Sequence, residues 1–440
     1  MKQHLRPQWA TLPMIGLPLF VVAALTTPAQ GQDATSVAGL SVPFDGKTFK
    51  GRIAYSADGN YNDEDDWAAS AVALAILAEC GVKDKLVHFD YNCILAKTDP
   101  AWEKQHTTSV LGAAERYGYP KSVFHDCQKN REGAVASIKR AINASSADDP
   151  LYYIVAGPVE IPYLGIRASD PARRAFVYCI SHNRWNDGYA SADLVNHNKR
   201  HVIPLGITWV QITDQNQFLS TSRYGRPANP DEWRPWHWMR DSDDAKVRFL
   251  WDRMQATTRA DCSDSGMAYF LMTGDEEAEI PKVRALLDDN RVPTPVARRR
   301  QVRLEAENFP TLDNYEVEYR NDRQASQRIN VKLASATGGR IRTPFREPYT
   351  ATSGRYDVDV RYFDEDDGRC TFRLCVNGAQ QGDTWRASGD DESWRTQTIP
   401  DLTIRSGDEI MVEVRADAGE YGKLDYVQLN YRAAEKLENS

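Results

Sequence analysis

The sequence lacks the short motifs by which several enzyme classes are recognised. The Gly-x-Ser-x-Gly pattern of serine hydrolases does not occur, and the single Gly-Gly pair, at 338–339, does not belong to a phosphate-binding loop. The seven cysteines are scattered, without the close pairs that bind zinc. These absences argue against a serine nucleophile, a nucleotide-binding loop and a zinc centre.

An excess of basic residues is also missing. The chain has 54 Lys and Arg against 62 Asp and Glu, so its formal net charge is −8. Mild acidity disfavours a nucleic-acid polymer as the partner. Beyond the N-terminus no stretch is apolar enough to span a bilayer, and the sequence therefore predicts no stable membrane insertion.

The N-terminus has the pattern of a secretory signal. Lys2, His4 and Arg6 precede an apolar run over residues 14–25, and small residues before position 31 offer a cleavage site. The alternative is a membrane anchor, but the run is shorter than the roughly 20 residues that a spanning helix needs. We therefore expect residues 1–31 to be a signal peptide and the mature protein to be secreted or periplasmic. Seven cysteines would then leave at least one thiol unpaired.

What the chain does have is a concentrated acidic segment. Five of the nine residues 58–66 are acids, and they lie between an extended apolar run at 51–56 and an apolar, helix-like run at 67–78. Ligands of open α/β sheets bind at the carboxyl ends of strands, and so many carboxylates need a cation or shifted pKa values. Carboxylate oxygens are ligands of hard cations, and we expect Ca²⁺ in preference to Mg²⁺. The alternative is a solvated acidic cap on the helix.

Two regions of different character follow the signal. Residues 40–292 alternate apolar strands with helices, which predicts an α/β domain whose parallel sheet is covered by helices on both faces. Prolines and Arg298-Arg299-Arg300 mark a linker at 293–302. Residues 303–433 carry alternating strands separated by turn residues, which predicts an all-β sandwich of the jelly-roll type. The predicted fold class is therefore multidomain, an α/β domain followed by a sandwich.

The acidic segment resembles the opening turn of the calcium-dependent nucleoside hydrolases, in which an Asp after the first strand precedes an Asp pair. Asp65 and Asp66 match the pair, and Asp58 matches the preceding Asp at a spacing about three residues longer, so that Asp63 or an Asn is an alternative. The resemblance implies a nucleoside-hydrolase-like fold and a Ca²⁺ site. Its implied ligands are Asp58, Asp65, Asp66, Asp264 and the backbone carbonyl of Ala156. Asp58 and Asp65 are the implied catalytic aspartates, with Asp58 as the base that takes a proton from water.

The same resemblance places substrate-binding residues after later strands. By residue type it implies that Asn92 binds substrate. By position after a strand it implies the same role for a polar cluster, which consists of Asn183, Trp185, Asn186 and Asp187. His182 is a candidate acid for the leaving group because histidine titrates near neutral pH. Trp236, in an aromatic run at 233–238, is a candidate for stacking on substrate. The alternatives are a solvated loop, a structural histidine and a buried loop anchor.

The C-terminal region resembles carbohydrate-binding modules of families 6 and 35. Glu305-Ala306-Glu307 matches their opening segment, and Leu424-Asp425-Tyr426-Val427 matches their closing strand. The resemblance implies a structural calcium site at Glu305 and Glu307. Trp385 is a candidate for stacking on a sugar ring, as are Trp394 and Tyr421, with core packing as the alternative.

Three functions are compatible with this sequence. The first is a secreted calcium-dependent hydrolase of glycosidic bonds that acts on a glycan or a glycan-derived sugar. The second is an extracellular nucleoside N-ribohydrolase, and the third is a non-catalytic carbohydrate-binding protein. The expected partner is accordingly a carbohydrate or a nucleoside, with Ca²⁺ as the cofactor.

Overall fold

The first half of the chain builds a six-stranded parallel sheet. A computed structural model of the protein describes residues 42–184, 186–187, 196–223, 225–319, 324–417 and 419–434. The sheet has the order β3-β2-β1-β4-β5-β6, and every neighbouring pair is parallel. Its strands are β1 (Arg52–Ala57), β2 (Leu86–Tyr91), β3 (Phe124–Asp126), β4 (Leu151–Ala156), β5 (Val177–Ser181) and β6 (Thr208–Gln211). The order reverses between β1 and β4, and such a switch point opens a crevice at the carboxyl ends of the strands.

Helices connect the strands and cover the sheet. They are α1 (Asp66–Glu79), α2 (Pro100–Tyr117), α3 (Cys127–Asn143), α4 (Glu160–Ala168), α5 (Pro171–Arg174), α6 (Lys199–Val202), α7 (Asn216–Leu219), α8 (Pro230–Trp233), α9 (His237–Asp241), α10 (Ala245–Ala256), α11 (Ser265–Thr273) and α12 (Ile280–Leu287). Helix α1 is buried along almost its whole length, as its Ala, Val, Leu and Ile residues require.

Alternate strand residues belong to different hydrophobic cores. Tyr152 and Ile154 of β4 pack in a cluster with α1, α2, α10 and α11, whereas Leu151, Tyr153 and Val155 pack in a second cluster with α3 and α4. Successive side chains of a strand point to opposite faces, so the two clusters lie on opposite faces of the sheet. The predicted parallel sheet with helices on both faces is confirmed.

The second half of the chain is antiparallel. One sheet has the order β15-β12-β17-β10-β9, with β7 paired to β17, and the other has the order β14-β13-β16-β11-β8. The strands are β7 (Gln301–Glu305), β8 (Thr311–Asp313), β9 (Tyr315–Tyr319), β10 (Ile329–Leu333), β11 (Gly339–Pro344), β12 (Ser353–Asp364), β13 (Thr371–Val376), β14 (Ala379–Arg386), β15 (Ser393–Arg405), β16 (Glu409–Arg415) and β17 (Leu424–Ala434). Both sheets contribute to one core, which confirms the predicted sandwich.

Most predicted elements lie close to observed ones, and the exceptions have local causes. The apolar run at 151–156 is β4, and the alternating run at 371–376 is β13. Helix α2 begins at Pro100 because Asp99 caps it, accepting from the backbone N–H groups of Ala101 at 2.7 Å and Trp102 at 3.2 Å. Strands β3 and β6, of three and four residues, are too short to give a pattern in the sequence.

The segment between the two regions is anchored by a buried arginine. Residues 288–300 contain no helix or strand, and β7 begins at Gln301, inside the predicted linker. Arg299 is buried and forms ion pairs with Glu276 and with Glu347, the latter at 3.2 Å. The seven cysteines are all buried and free. Within the described residues no helix is both long and apolar enough to cross a bilayer.

Candidate functional site

Three aspartates of the acidic turn converge at the switch point of the sheet. Asp58 follows β1, Asp66 opens α1, and carboxylate oxygens of Asp58, Asp63 and Asp66 lie within 4.8 Å of one another. Asp58 and Asp66 are fully buried, and their four carboxylate oxygens have no hydrogen-bond partner in the described part of the chain. Buried charges left without partners are costly, so this cluster requires either protons or a cation.

The cost of burying these charges raises the pKa values of the three aspartates. Burial, together with the charges of Asp264 and Asp65, raises the pKa of Asp58 to about 8. Burial and the neighbouring carboxylates also raise the pKa values of Asp63 and Asp66 well above their usual range. A divalent cation would reverse these shifts because it favours the ionised carboxylates. The donor set consists of carboxylate oxygens, which are the ligands of a hard cation.

The turn that carries these aspartates is held from several sides. The indole N–H of Trp67 donates to the carbonyl of Gly59 at 2.6 Å. Asn60 bonds the backbone of Ile94 in both directions, at 3.0 and 3.1 Å. On the other side, a Cβ atom on Gly157 would lie 2.7 Å from Asp58 Oδ1, so only glycine allows the end of β4 to approach this carboxylate.

Asp65 is not one of the three carboxylates that lie within 4.8 Å of one another, although it lines the same cavity as Asp63, and its role as a ligand stays a prediction. It is the N-cap residue of α1, and Arg259 approaches its carboxylate at 3.4 Å. Successive side chains of a helix diverge by about 100°, so Asp65 and Asp66 do not point the same way. Asp63, considered from the sequence as an alternative to Asp58, joins the cluster together with Asp58.

Asp264 lies next to this cluster, at the N-cap of α11. Its charge contributes to the raised pKa values of Asp58 and Asp66. Its Oδ1 accepts from Asn186 Nδ2 at 2.8 Å and from His182 Nε2. Asp264 therefore borders the cluster while two donors fix its orientation.

His182 is buried between two carboxylates. Its Nε2 contacts Asp264, and its Nδ1 lies 3.3 Å from Asp214 Oδ1 and accepts from the backbone N–H of Gln215 at 3.2 Å. Burial alone would lower its pKa, but the two carboxylates outweigh burial and raise the pKa to about 9. This pKa lies above the near-neutral value on which the sequence-based candidate role of His182 as an acid rests, and that role stays a prediction.

A cavity of about 250 Å³ adjoins these groups. Its walls are Asn62, Asp63, Asp65, Asn183, Asn186, Asn216, Arg259, Ser263 and Asp264. Asn183 accepts from the backbone N–H of Asn186 at 3.1 Å, and Asn186 also donates to the carbonyl of Val155 at 3.2 Å. The predicted substrate residues Asn183 and Asn186 are therefore brought to this cavity. Trp185 lies outside the described residues.

The remaining residues predicted around the acidic turn have structural partners. Asn92 is buried, and its Oδ1 accepts from His106, whose pKa burial lowers to about 3. Asp187 is buried as well. It accepts from Ser181 at 2.6 Å and from Lys199 at 3.0 Å, so it belongs to an ion-pair network and not to the cavity wall. Ala156 ends β4 beside Ala57, next to the aspartate cluster.

Two tryptophans expected to stack on substrate are core residues. Trp236 has no exposed surface, and its indole N–H donates to Thr221 at 3.0 Å. Trp385 is 9% exposed and stacks on Phe372 with ring centroids 5.7 Å apart. Neither ring presents a face to a ligand. The burial agrees with the alternatives given for them, a buried loop anchor for Trp236 and core packing for Trp385.

The sandwich carries a second group of buried carboxylates. Glu305 accepts from Ser326 at 2.8 Å, and Glu307 accepts from Lys199 at 3.1 Å. One oxygen of each glutamate has no hydrogen-bond partner among the described residues. Asp425 of β17 accepts from the backbone N–H of Ser326 and pairs with Arg361 at 3.1 Å. Burial raises the pKa of Glu305, and the nearby charges of Glu307 and Asp425 add to the effect.

Sequence reasoning missed the basic residues of these sites. Lys199 and Arg259 lie far along the chain from the acids that they contact, and no local pattern marks either of them. One signal in the sequence could have indicated a basic residue at the acidic turn. The acidic segment 58–66 contains no basic residue, so its buried charges must be balanced by basic residues from distant parts of the chain or by a metal ion.

Comparisons with known proteins add little to this description. No family model matches the chain. "Uncharacterized protein P22" of Formosa agariphila is 29% identical over 262 residues, which cover 54% of this chain and 91% of that protein.

Among solved structures, a family 35 carbohydrate-binding module from Clostridium thermocellum is 21% identical with a TM-score of 0.24, covering 29% of this chain and 96% of the module. The GH26-CBM35 β-(1,4)-mannanase of Podospora anserina is 19% identical with a TM-score of 0.26, covering 31% of this chain and 28% of the mannanase. TM-scores of this size do not establish a common fold, and the sandwich described above is defined by its own strands.

Proposed function

We propose that this protein is a secreted calcium-dependent hydrolase of glycosidic bonds, acting on a glycan or a glycan-derived sugar. One observation carries the proposal. Asp58, Asp63 and Asp66 converge within 4.8 Å at the switch point of a parallel sheet, and four of their oxygens are buried without hydrogen-bond partners among the residues that the structure describes. Structural carboxylates are normally paired, whereas these adjoin a cavity that holds further polar side chains.

The donor set fits Ca²⁺. Asp58, Asp63 and Asp66 would hold the ion, and the backbone at the end of β4 is close enough to Asp58 to take part. Calcium accepts six to eight oxygen ligands in flexible geometry, which suits carboxylates of different depth supplemented by water. A bound dication would keep these carboxylates ionised, polarise a water molecule and orient sugar hydroxyls.

The residues of the chain divide the remaining work. We assign the base role to an ionised Asp58, which follows β1 at the switch point and whose carboxylate has no hydrogen-bond partner among the described residues. Asn183 and Asn186 line the cavity. The Asn183 side chain suits hydrogen bonding to sugar hydroxyls, whereas Asn186 Nδ2 already donates to Asp264 and Val155 and leaves only its Oδ1 for a ligand. Positive charge that develops on the sugar would meet a carboxylate-rich wall. His182 holds Asp264 in place and is not assigned a proton-transfer role.

The choice of a glycan rests on the second region of the chain. Its opening Glu305-Ala306-Glu307 and its closing strand resemble carbohydrate-binding modules, and its strands form a two-sheet sandwich. A cavity of about 250 Å³ is close to the lower end of the ~300–1,000 Å³ typical of ligand sites. It would hold a single sugar ring or a nucleoside, so the substrate panel below includes both classes.

The first test is a calcium titration of the mature protein by calorimetry. Asp66→Asn keeps the shape of the side chain and removes one ligand charge, and we expect it to weaken the turn site by at least about 100-fold, beyond the 10- to 100-fold typical of indirect contacts. Asp148→Asn is the matched control, because Asp148 is exposed. Absence of calcium binding, or equal binding by Asp66→Asn, would contradict the proposal.

The second test is turnover with calcium or with EDTA. Oligosaccharides of different composition are assayed for released reducing ends, and inosine and uridine are assayed for released base. Calcium-dependent cleavage of a saccharide that is lost in Asp58→Asn supports the proposal. Release of free base would identify a nucleosidase instead. Calcium binding without turnover on any substrate would favour the carbohydrate-binding hypothesis.

A further inference from the structure

A second and larger cavity lies between the α/β region and the sandwich. Its volume is about 740 Å³, within the range of small-molecule sites. One wall comes from residues 211–217 and 274–277, and the other comes from residues 296–305 together with Ser326, Gln327 and Gln428. We call it the junction cleft. Five glutamines lie on its walls. The amides of Gln211 and Gln428 bond to neighbouring residues, and those of Gln217, Gln301 and Gln327 suit hydroxyl-rich ligands.

Arginines without carboxylate partners lie on one wall of the junction cleft. Arg299 is buried in ion pairs with Glu276 and Glu347, but Arg298, Arg300 and Arg303 form no ion pair within the described residues. Two of these three are held by aromatic rings. The Arg298 guanidinium lies 4.4 Å from the centroid of the Tyr431 ring, and that of Arg303 lies 4.3 Å from the centroid of the Tyr426 ring. Stacking fixes a guanidinium without neutralising its charge.

Most acids of the same cleft are already neutralised. Asp214 pairs with His182 at 3.3 Å, Asp275 pairs with Lys282 at 2.9 Å, and Glu276 pairs with Arg299. Glu277 and Glu305 remain without an ion pair in the described chain, against three arginines. The balance of unpaired charge on the walls is therefore positive, although the protein as a whole is acidic.

The junction cleft and the site cavity share one segment of the chain. Asn216 lines the site cavity, whereas Asp214 and Gln217 line the cleft. Asp214 also bonds His182, which in turn bonds Asp264 of the site. A ligand chain whose end lies at the aspartate cluster would therefore meet the cleft on the other side of residues 214–217.

We propose that the junction cleft binds an anionic saccharide chain whose carboxylate or sulfate groups are held by Arg298, Arg300 and Arg303. The planar guanidinium presents a fork of donors that matches the paired oxygens of these groups. The cleft selects the acidic units of the chain, while the adjoining site acts on the sugar at its end. That the ligand is a saccharide rests on the proposed function. That the saccharide is anionic is the new inference.

The test is binding of three trisaccharides to the full-length mature protein, measured by calorimetry. Trigalacturonate carries carboxylates, its carboxyl-reduced form is the neutral match, and a sulfated galactose trisaccharide represents the second source of charge. We expect at least one charged ligand to bind, with affinity falling as salt rises, and the neutral ligand to bind at least about 10-fold more weakly.

Substitution of the arginines locates the binding. Arg300→Gln and Arg303→Gln should each weaken the charged ligand about 10-fold, the usual effect of losing one charge-assisted hydrogen bond, and should leave the neutral ligand unchanged. Arg386→Gln, on an exposed position of β14, is the control for net charge and should have no effect. Preference for the sulfated over the carboxylated ligand, or the reverse, supports the proposal and names the group.

Three results would overturn the proposal. They are equal binding of charged and neutral ligands, an equal loss in Arg386→Gln, and charged-ligand binding that Asp66→Asn abolishes while Arg300→Gln and Arg303→Gln leave it intact. The last result would place the ligand at the acidic turn. Failure of the calcium titration contradicts the proposed hydrolase but leaves an arginine-dependent preference for charged ligands standing, so the two failures are distinguishable.

Discussion

Two buried carboxylates, those of Asp58 and Asp66, determine what the acidic turn requires in order to fold. Asp58 and Asp66 are buried, and their carboxylates have no hydrogen-bond partner in the described part of the chain. A protein of ordinary stability, about 5–15 kcal/mol, does not keep such groups ionised without compensation. Burial and the neighbouring carboxylates raise the pKa values of both groups, so each binds a proton more readily than an ordinary aspartate when no cation is bound. The side chains that shape the turn are therefore as important to the site as the carboxylates themselves.

Trp67 provides a test at the scale of one residue. Trp67→Phe keeps an aromatic ring and removes the N–H that donates to the Gly59 carbonyl at 2.6 Å. The carbonyl then lacks its partner, so we expect a loss of about 1–3 kcal/mol in the free energy of unfolding. Because the carbonyl belongs to the turn, calcium affinity should fall about 10-fold. Urea denaturation and calorimetry measure the two effects.

Trp251→Phe is the matched control. This tryptophan lies on α10, is partly exposed and packs edge-on against Trp233. Its substitution should leave calcium affinity unchanged. If Trp67→Phe also leaves calcium affinity unchanged, the bond to Gly59 does not position the turn.

Individual residues were predictable from the sequence where local order decides their place. Asp58, Asp66 and Asp264 follow strands or open helices whose pattern is visible, and they lie together as expected. Trp236 and Trp385 were not predictable, because burial of an aromatic ring depends on neighbours distant in the chain. Asp66 joins the cluster and Asp65 does not, because α1 begins at Asp66 and the two side chains point in different directions. A sequence places the start of a helix only to within one or two residues.

At the scale of elements, the alternation of strands and helices predicts a parallel sheet but not its strand order. The observed order places β1 beside β4, and this pairing creates the crevice in which the aspartates converge. Which strands pair depends on packing between residues that are distant in the chain. For example, the rings of Tyr55 on β1 and Phe89 on β2 stack with centroids 4.6 Å apart, and no local sequence pattern predicts this contact.

One element carries the clearest energetic test. Lys199 opens α6 and is 2% exposed, with Asp187 Oδ2 at 3.0 Å and Glu307 Oε1 at 3.1 Å. Lys199→Met leaves two buried carboxylates without their cation, so we expect a loss of about 3–5 kcal/mol in the free energy of unfolding. Urea denaturation in the presence of EDTA measures it without a contribution from bound metal.

Neutralising the partners should reverse much of this loss. The triple variant Lys199→Met, Asp187→Asn and Glu307→Gln carries no buried charge at these positions, and it should be more stable than Lys199→Met alone. Lys121→Met, at an exposed position, should change stability by no more than about 0.5 kcal/mol. A loss below about 1 kcal/mol in Lys199→Met would mean that the ion pairs are not desolvated as the structure indicates.

At the scale of the whole molecule, the two regions share buried polar contacts. Besides Lys199 with Glu307, Arg299 joins Glu276 to Glu347, and the Tyr349 hydroxyl donates to the carbonyl of Leu271 at 2.7 Å. The sequence predicts a sandwich attached by a linker. The observed contacts make the sandwich part of the framework around α11, the helix that Asp264 caps.

The pH dependence of stability follows from one of these contacts. Burial raises the pKa of Glu347 to about 7 even though Arg299 lies 3.2 Å away, whereas a glutamate in the unfolded chain titrates near 4.5. Between these values the folded chain holds a proton that the unfolded chain has lost. The contribution of Glu347 to stability is therefore present below about pH 4.5 and is lost as the pH rises to about 7.

Glu347→Gln removes this titration while keeping an amide of the same shape. Wild type should lose about 2–3 kcal/mol more than Glu347→Gln between pH 4.5 and 7.5, because a tenfold change in proton affinity between the folded and unfolded chains corresponds to about 1.4 kcal/mol. Urea denaturation at one-unit pH intervals measures the difference, and Glu132→Gln, at an exposed position, should follow wild type. Parallel curves for wild type and Glu347→Gln would mean that Arg299 keeps Glu347 ionised throughout. Arg299 would then outweigh burial at the contact that joins the two regions.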